Sequence, residues 1–175
     1  LTQIRQVVNS MSSITVRKAT EHDLPVLLEI YNHVVRTSPA TFDLVEQTLE
    51  QRKKWFQKYD EQHPLLVAVE NGSVVGYASL GTFREKPAYN QTAESSVYVH
   101  HDHHGKGIGG LLMTKLIAAA KELGYHALVA GITGGNESSA QLHVKFGFQP
   151  VGVFRQVGYK FGEYHDVAFY QLLLE

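Results

Sequence analysis

Four glycines within six residues, Gly105, Gly107, Gly109 and Gly110, mark the stretch of this chain best suited to chemistry. They lie between the β-prone run Val97-Tyr98-Val99 and a helical pattern with apolar positions at 108, 112, 116, 119 and 123. Helix interiors exclude glycine at a cost of ~1 kcal/mol against alanine, so the run belongs to a loop and the first helical turn. Such a strand-to-helix turn presents unpaired backbone N–H groups and the positive end of a helix dipole, and the missing Cβ atoms let a phosphate approach. Gly105-x-Gly107-x-x-Gly110 matches the dinucleotide fingerprint formally, but that motif alone is a weak signal. In a dinucleotide fold the first glycine follows the strand directly and an acid ends the next strand. Here His100-His101-Asp102-His103-His104 intervenes, and the next strand ends Ala130-Gly131-Ile132. A Walker loop is excluded because no Gly-Lys-Ser/Thr occurs.

Other reactive side chains cluster around this stretch. Glu94 stands three residues before Val97, in the strand that leads to the loop. Arg84, Lys86 and Tyr89 form a basic segment that suits an anion, and arginine can engage a carboxylate bidentately. Asn136 and His143 are seven residues apart, two turns along one helix face. Phe42, in a loop between two helices, fits simple packing or a substrate-facing role equally well. The His100–His104 cluster invites a metal reading. Alternating strand side chains cannot all converge on one ion, however, so no metal site is expected.

The elements that must position these groups read in order. Residues 13–18 alternate as a strand. Thr20-x-x-Asp23 resembles a capping box ahead of a helix carrying Leu24, Leu27, Leu28, Tyr31, Val34 and Val35, which Pro39 ends. Thr48-x-x-Gln51 opens a second helix through Trp55, Phe56 and Tyr59. Strands at 65–70 and 73–82 flank Asn71-Gly72, a strong hairpin signal. A strand at 92–100 precedes the glycine turn, and Gly124 caps the helix that follows. A central apolar strand at 126–132 comes next, then a short helix from Asn136 to Phe146 capped by Gly147. Strands at 148–154 and 167–174 close the chain. The order βααβββαβαββ is mixed α/β with a largely antiparallel sheet.

Composition narrows the classes. A chain of 175 residues is most simply one domain with a substantial core. Sixteen Lys+Arg against seventeen Asp+Glu, a net charge of −1, leave no basic field for nucleic acid and no polybasic membrane patch. Zero cysteines exclude disulfides, thiol nucleophiles and cysteine-ligated zinc, which suits a reducing cytoplasm. No apolar run approaches ~18 residues. The opening LTQIRQVVNSM is too polar for a signal peptide. Met11 reads as a natural start, residues 1–12 as a loose tail or cloning remnant, and 13–175 as the domain.

Read as His104-Gly105-Lys106-Gly107-Ile108-Gly109, the turn resembles the acyl-CoA loop, Gln/Arg-x-x-Gly-x-Gly/Ala, of the GNAT superfamily of N-acetyltransferases. Histidine replaces the usual Gln or Arg at the first position. The segments YNHVVRTSPATFD, TFREKPAY, AESSVYVHHDHHGKGIG, NESSAQLHVKFGF and VGYKFGEYHDVAFYQ extend the likeness over residues 13–174. They look like the phosphinothricin/methionine-sulfone acetyltransferase branch. The resemblance implies the GNAT fold, acetyl-CoA as co-substrate, a small amine acceptor and a homodimer. It assigns Val97, Tyr98 and Val99 to the acetyl and pantetheine end, and residues 105–110, Lys106 and Ile108 included, to the pyrophosphate. Asn136 would touch coenzyme A. His143 takes the position where many relatives carry a thiolate-protonating Tyr, and could donate a proton or only hydrogen-bond. Arg84, Lys86 and Tyr89 would clamp the acceptor, with Lys86 departing from the Arg often found there.

Acetyl transfer to an amine requires a neutral amine, a nearby carbonyl carbon and a thiolate helped to leave. Neutralising an α-amine of pKa ~8 at pH 7 costs only ~1.4 kcal/mol, against ~4.6 kcal/mol for a lysine-like amine. One carboxylate, acting directly or through water, supplies that help; Glu94 matches the branch's carboxylate. With no cysteine to hold an acyl group, direct attack in a ternary complex is expected. The basic Arg84/Lys86 segment argues against polyamines. Aminoglycosides, a protein N-terminus or a non-catalytic CoA-binding module stand as rivals.

Overall fold

The computed structural model describes residues 13–175, so the reading of residues 1–12 lies outside the described residues. The elements run β1 (Ile14–Lys18), α1 (Leu24–Thr37), α2 (Leu49–Phe56), β2 (Leu65–Glu70), β3 (Ser73–Thr82), β4 (Thr92–Val99), α3 (Ile108–Glu122), β5 (Ala127–Thr133), α4 (Glu137–Lys145), β6 (Gln149–Lys160) and β7 (Glu163–Leu173). The strands form one seven-stranded sheet in the order β1-β2-β3-β4-β5-β7-β6. Every neighbouring pair is antiparallel except β4 and β5. The expected order of elements and mixed sheet are both present.

Strand alternation sorts the core into two layers. Leu65, Val67 and Tyr77 face Leu24, Leu27 and Ile30 of α1. Leu66, Ala68, Ala78 and Leu80 face Ile108, Leu112, Met113 and Leu116 of α3. Both capping signals operate. Thr20 N–H donates to the Asp23 carboxylate at 2.7 Å, and Arg17 grips that carboxylate with two bonds of 2.8 and 2.9 Å. Thr48 and Gln51 close the reciprocal box that starts α2.

Three details differ from expectation. Helix α2 stops at Phe56, short of Tyr59, and α1 buries Ile30 where Leu28 was expected. The last two strands are longer than the apolar runs suggested, because β6 and β7 continue to a tight turn at Phe161-Gly162, both at positive φ. That turn lacks the Asn-Gly or Asp-Gly signature, and the strands around it are exposed, so hydrophobic patterning did not reveal them.

Candidate active site

The site begins where two strands part. β4 and β5 pair only from Thr92–Ala127 to Glu94–Val129. Beyond that point β4 stays with β3 as far as Val99, while β5 stays with β7 as far as Thr133. The wedge between them opens into a cleft of about 510 Å³, walled by residues 95–99 of β4 and 130–133 of β5. Helix α3 starts at its mouth, α4 closes one side, and His33, Thr37, Ser38 and Ala40, at and beyond the end of α1, border the other. Losing its β5 partner leaves the inner edge of β4 with backbone polar groups turned toward the cleft, where buried donors and acceptors require partners.

Glu94 is the last paired residue before the strands diverge. Alternation puts Glu94, Ser96 and Tyr98 on the sheet face toward α1 and α2, and Val97 and Val99 on the face toward α3. The Glu94 side chain reaches solvent, yet the protein around it removes enough water to raise its carboxyl pKa above the ordinary value. Desolvation favours the neutral acid, which makes the ionised form a better proton acceptor.

The glycine turn divides its work. Gly105 and Gly107 hold φ of +76° and +79°, and a Cβ on either would project into open space at the cleft. The left-handed backbone therefore needs glycine here, and the space a side chain would fill is left for a ligand. Gly109 and Gly110 lie inside α3, where Gly109 lets Leu142 of α4 pack closely and Gly110 faces Phe146, just beyond the end of α4. Lys106 is exposed beside His103, with Nζ 3.3 Å from Nδ1. His104 uses Nε2 to donate to the carbonyl of Val99 at 3.0 Å, tying the loop to the end of β4.

The strand alternation assumed for 100–104 does not hold. β4 ends at Val99, and His101–His103 form a 3₁₀ turn that gathers ligand-capable atoms of His100, His101 and Asp102 within 4.8 Å. His100 Nδ1 accepts from the Asp102 N–H at 3.1 Å, which puts the ring proton on Nε2, 3.7 Å from Glu29. The rings of His33, His101 and His100 stack at 3.8 and 4.3 Å.

On α4, Asn136 caps the helix by accepting from Ser139 N–H and borders the cleft. His143 also borders it and is 3 % exposed. A carbonyl can only accept, so the 2.7 Å contact between His143 Nδ1 and Ser139 O puts the proton on Nδ1. Burial lowers the pKa of the imidazole, an effect only partly offset by that bond. Nε2 then carries a lone pair and has no partner among the described residues. The Ser95 hydroxyl, 5 % exposed on the cleft wall, likewise lacks one.

The expected acceptor residues lie apart from this cleft lining. Arg84, Lys86 and Tyr89 occupy the exposed β3–β4 connector at the Glu94 end of the strand, where Tyr89 meets Phe83 edge-on and Arg84 lies 5.0 Å from the Phe83 ring. Phe42 rests on Gly158 of β6 and against His165 of β7. Sequence reasoning missed Arg52, 2 % exposed, whose guanidinium sits 3.5 Å from the Trp55 ring and donates to Tyr77 OH at 2.7 Å. It anchors α2 over the floor formed by Tyr77 and Tyr98, and no local pattern signals it.

A splayed pair of parallel strands, a left-handed glycine turn and polar atoms without partners on the walls form a groove suited to an extended, phosphate-bearing ligand. The chain belongs to the GNAT acetyltransferase domain family, which matches residues 16–169. It is an acetyl-CoA-dependent acetyltransferase. A phosphinothricin N-acetyltransferase of Streptomyces coelicolor is 42 % identical over 164 residues, covering 91 % of this chain and 96 % of that one. An L-methionine sulfoximine/L-methionine sulfone acetyltransferase of Salmonella typhimurium is 40 % identical, covering 93 % and 95 %. The solved phosphinothricin acetyltransferase of Sinorhizobium meliloti, in complex with acetyl-CoA, superposes with a TM-score of 0.89 at 33 % identity, covering 92 % of this chain and 88 % of that one.

Proposed function

We propose that residues 13–175 form one catalytic domain that acetylates the α-amine of small amino-acid-like acceptors, of the phosphinothricin, methionine sulfone or methionine sulfoximine type. The observation that carries this reading is the place of Glu94 as the last paired residue where β4 and β5 part, with its carboxyl pKa raised by partial burial. The names of the relatives support the acceptor class. Acetyl-CoA supplies the activated thioester carbonyl. Val97, Tyr98 and Val99 hold its acyl and pantetheine end, residues 105–110 hold the pyrophosphate, and Asn136 touches the coenzyme. The neutral amine attacks directly in a ternary complex, without a metal step. Glu94 takes the amine proton, directly or through water, as the C–N bond forms. The thiolate leaves as the C–S bond breaks and is reprotonated from solvent.

His143 serves as a hydrogen-bond partner through Nε2, because its one proton is committed to Ser139 and the lowered pKa keeps the ring neutral at pH 7. Arg84, Lys86 and Tyr89 receive the acceptor's anionic end. Phe42 contributes through the loop it anchors. Replacing Glu94 by Gln should lower kcat roughly 10²-fold, in keeping with loss of a general base, while acetyl-CoA binding persists. Unchanged turnover in a free-thiol assay removes Glu94 from this role.

The protein works as a cytoplasmic homodimer, free of nucleic acid and membrane. Val153, Phe154, Val157, Tyr159 and Tyr164 of the β6–β7 hairpin are each more than half exposed, apolar surface that suits a second copy. No helix among the described residues is long and apolar enough to cross a membrane. Sedimentation equilibrium should return twice the mass of one 19.6 kDa chain; a concentration-independent monomer refutes the dimer.

A further inference from the structure

The loop at 38–43, between α1 and α2, borders the cleft through Ser38 and Ala40 but lies in neither helix. Its backbone is tied down from the far end of the chain. The Lys160 ammonium donates to Ser38 O at 2.9 Å and to Thr41 O at 2.8 Å. Thr133, where β5 ends, donates its hydroxyl to Pro39 O at 2.8 Å. Tyr31 bonds the Thr41 hydroxyl at 2.9 Å and also donates to the Asp43 carboxylate.

Lys160 is 3 % exposed, and both its hydrogen bonds go to carbonyls of this loop. A buried cation is costly and lysines are rarely fully buried, so its placement calls for a role beyond filling space. The rest of the hairpin is shaped around the same contact. β6 carries two extra residues between the Phe154–Val167 and Gly158–His165 pairs, an irregularity bound by Gln156 N–H donating to Asp166 at 2.8 Å. It brings Gly158 under Phe42 so closely that a Cβ there would meet the ring at 2.2 Å. His165 in turn donates from Nε2 to Lys160 O at 2.9 Å.

We propose that Lys160 is a positioning residue for the acceptor: its ammonium clamps the carbonyls of Ser38 and Thr41 and so sets the cleft wall on the acceptor side. The assignment rests on the reading of that cleft as an acetyltransferase site for small α-amines. The hairpin thus acts on acceptor binding without touching the acceptor, and the cofactor side, built on α3 and α4, is independent of it.

The test measures acceptor KM with methionine sulfone and acetyl-CoA Kd separately, in wild type, Lys160→Met and Gly158→Ala. The second variant pushes Phe42 off the hairpin toward solvent and leaves the Lys160 clamp chemistry intact, so it reports on the loop even if Lys160→Met does not fold. Acceptor KM should rise at least tenfold in Lys160→Met and several-fold in Gly158→Ala, with acetyl-CoA Kd within twofold of wild type. Acceptor KM unchanged in the folded variants overturns the proposal, as does KM rising together with Kd, which signals general loosening. If wild type transfers to no α-amine, the acceptor reading fails instead. The clamp is then judged by amide hydrogen exchange, where unchanged protection of residues 38–43 in the variants overturns it.

Discussion

The two proposed sides of the cleft, one for the cofactor and one for the acceptor, are built from different materials. The cofactor side is mostly backbone: the edge of β4 left without β5, two left-handed glycines and the start of α3. The acceptor side is assembled from side chains on segments far apart in the chain. Lys160 reaches Ser38 across 122 residues and Thr133 reaches Pro39 across 94. A backbone site tolerates side-chain change and suits an invariant ligand such as a pyrophosphate, whereas a side-chain site can be retuned for new acceptors without disturbing it. Substitutions on one side should therefore leave binding on the other side intact.

The largest separation is expected from Gly107→Ala. An L-residue held at φ +79° costs about 1–2 kcal/mol, so acetyl-CoA should bind roughly 5–30-fold more weakly while acceptor KM stays near wild type. Calorimetric titration with the coenzyme checks this, and equal losses for both ligands would break the division. Arg84→Ala should do the reverse. A hydrogen bond to a charged group contributes about 1.5 kcal/mol or more, so acceptor KM should rise about tenfold with coenzyme affinity unchanged; steady-state kinetics with both substrates varied decides it.

The smallest effect concerns His143 and pH. Its folded-state pKa is below the ordinary value of about 6.5. Between the two values the unfolded chain binds a proton that the folded chain does not, so stability rises with pH across that window and is flat above it. Thermal melts between pH 5.5 and 7.5 should show this slope, reduced in His143→Gln. An identical slope in the variant would mean that the buried imidazole does not titrate as described.

The same contrast explains what could be read from the amino-acid sequence. The glycine turn, the capping boxes and the Asn71-Gly72 hairpin are local, since each depends on residues within a few positions of one another. The branch resemblance added Glu94, which spacing alone left as an ordinary strand carboxylate. The wedge itself was invisible, because the parting of β4 and β5 depends on their partners β3 and β7. Arg52 was missed because its burial needs Tyr31 and Tyr77, from other elements, as well as Trp55 one turn along its own helix. Lys160 lies in an exposed, aromatic-rich hairpin without strand alternation, and its two carbonyl partners lie more than a hundred residues away. The histidine cluster misled in a local way, since a strand pattern was carried one turn too far past Val99.

The measurement that bears most directly on the account is free-thiol release from acetyl-CoA against phosphinothricin, methionine sulfone, spermidine, kanamycin and a short peptide. Release with the first two and not with the others is the predicted result, and it would join the Glu94 carboxylate to an anion-bearing α-amine. Release with spermidine, kanamycin or the peptide alone would contradict the acceptor site. No release with any amine, while acetyl-CoA still binds, would contradict the proposed acceptor chemistry.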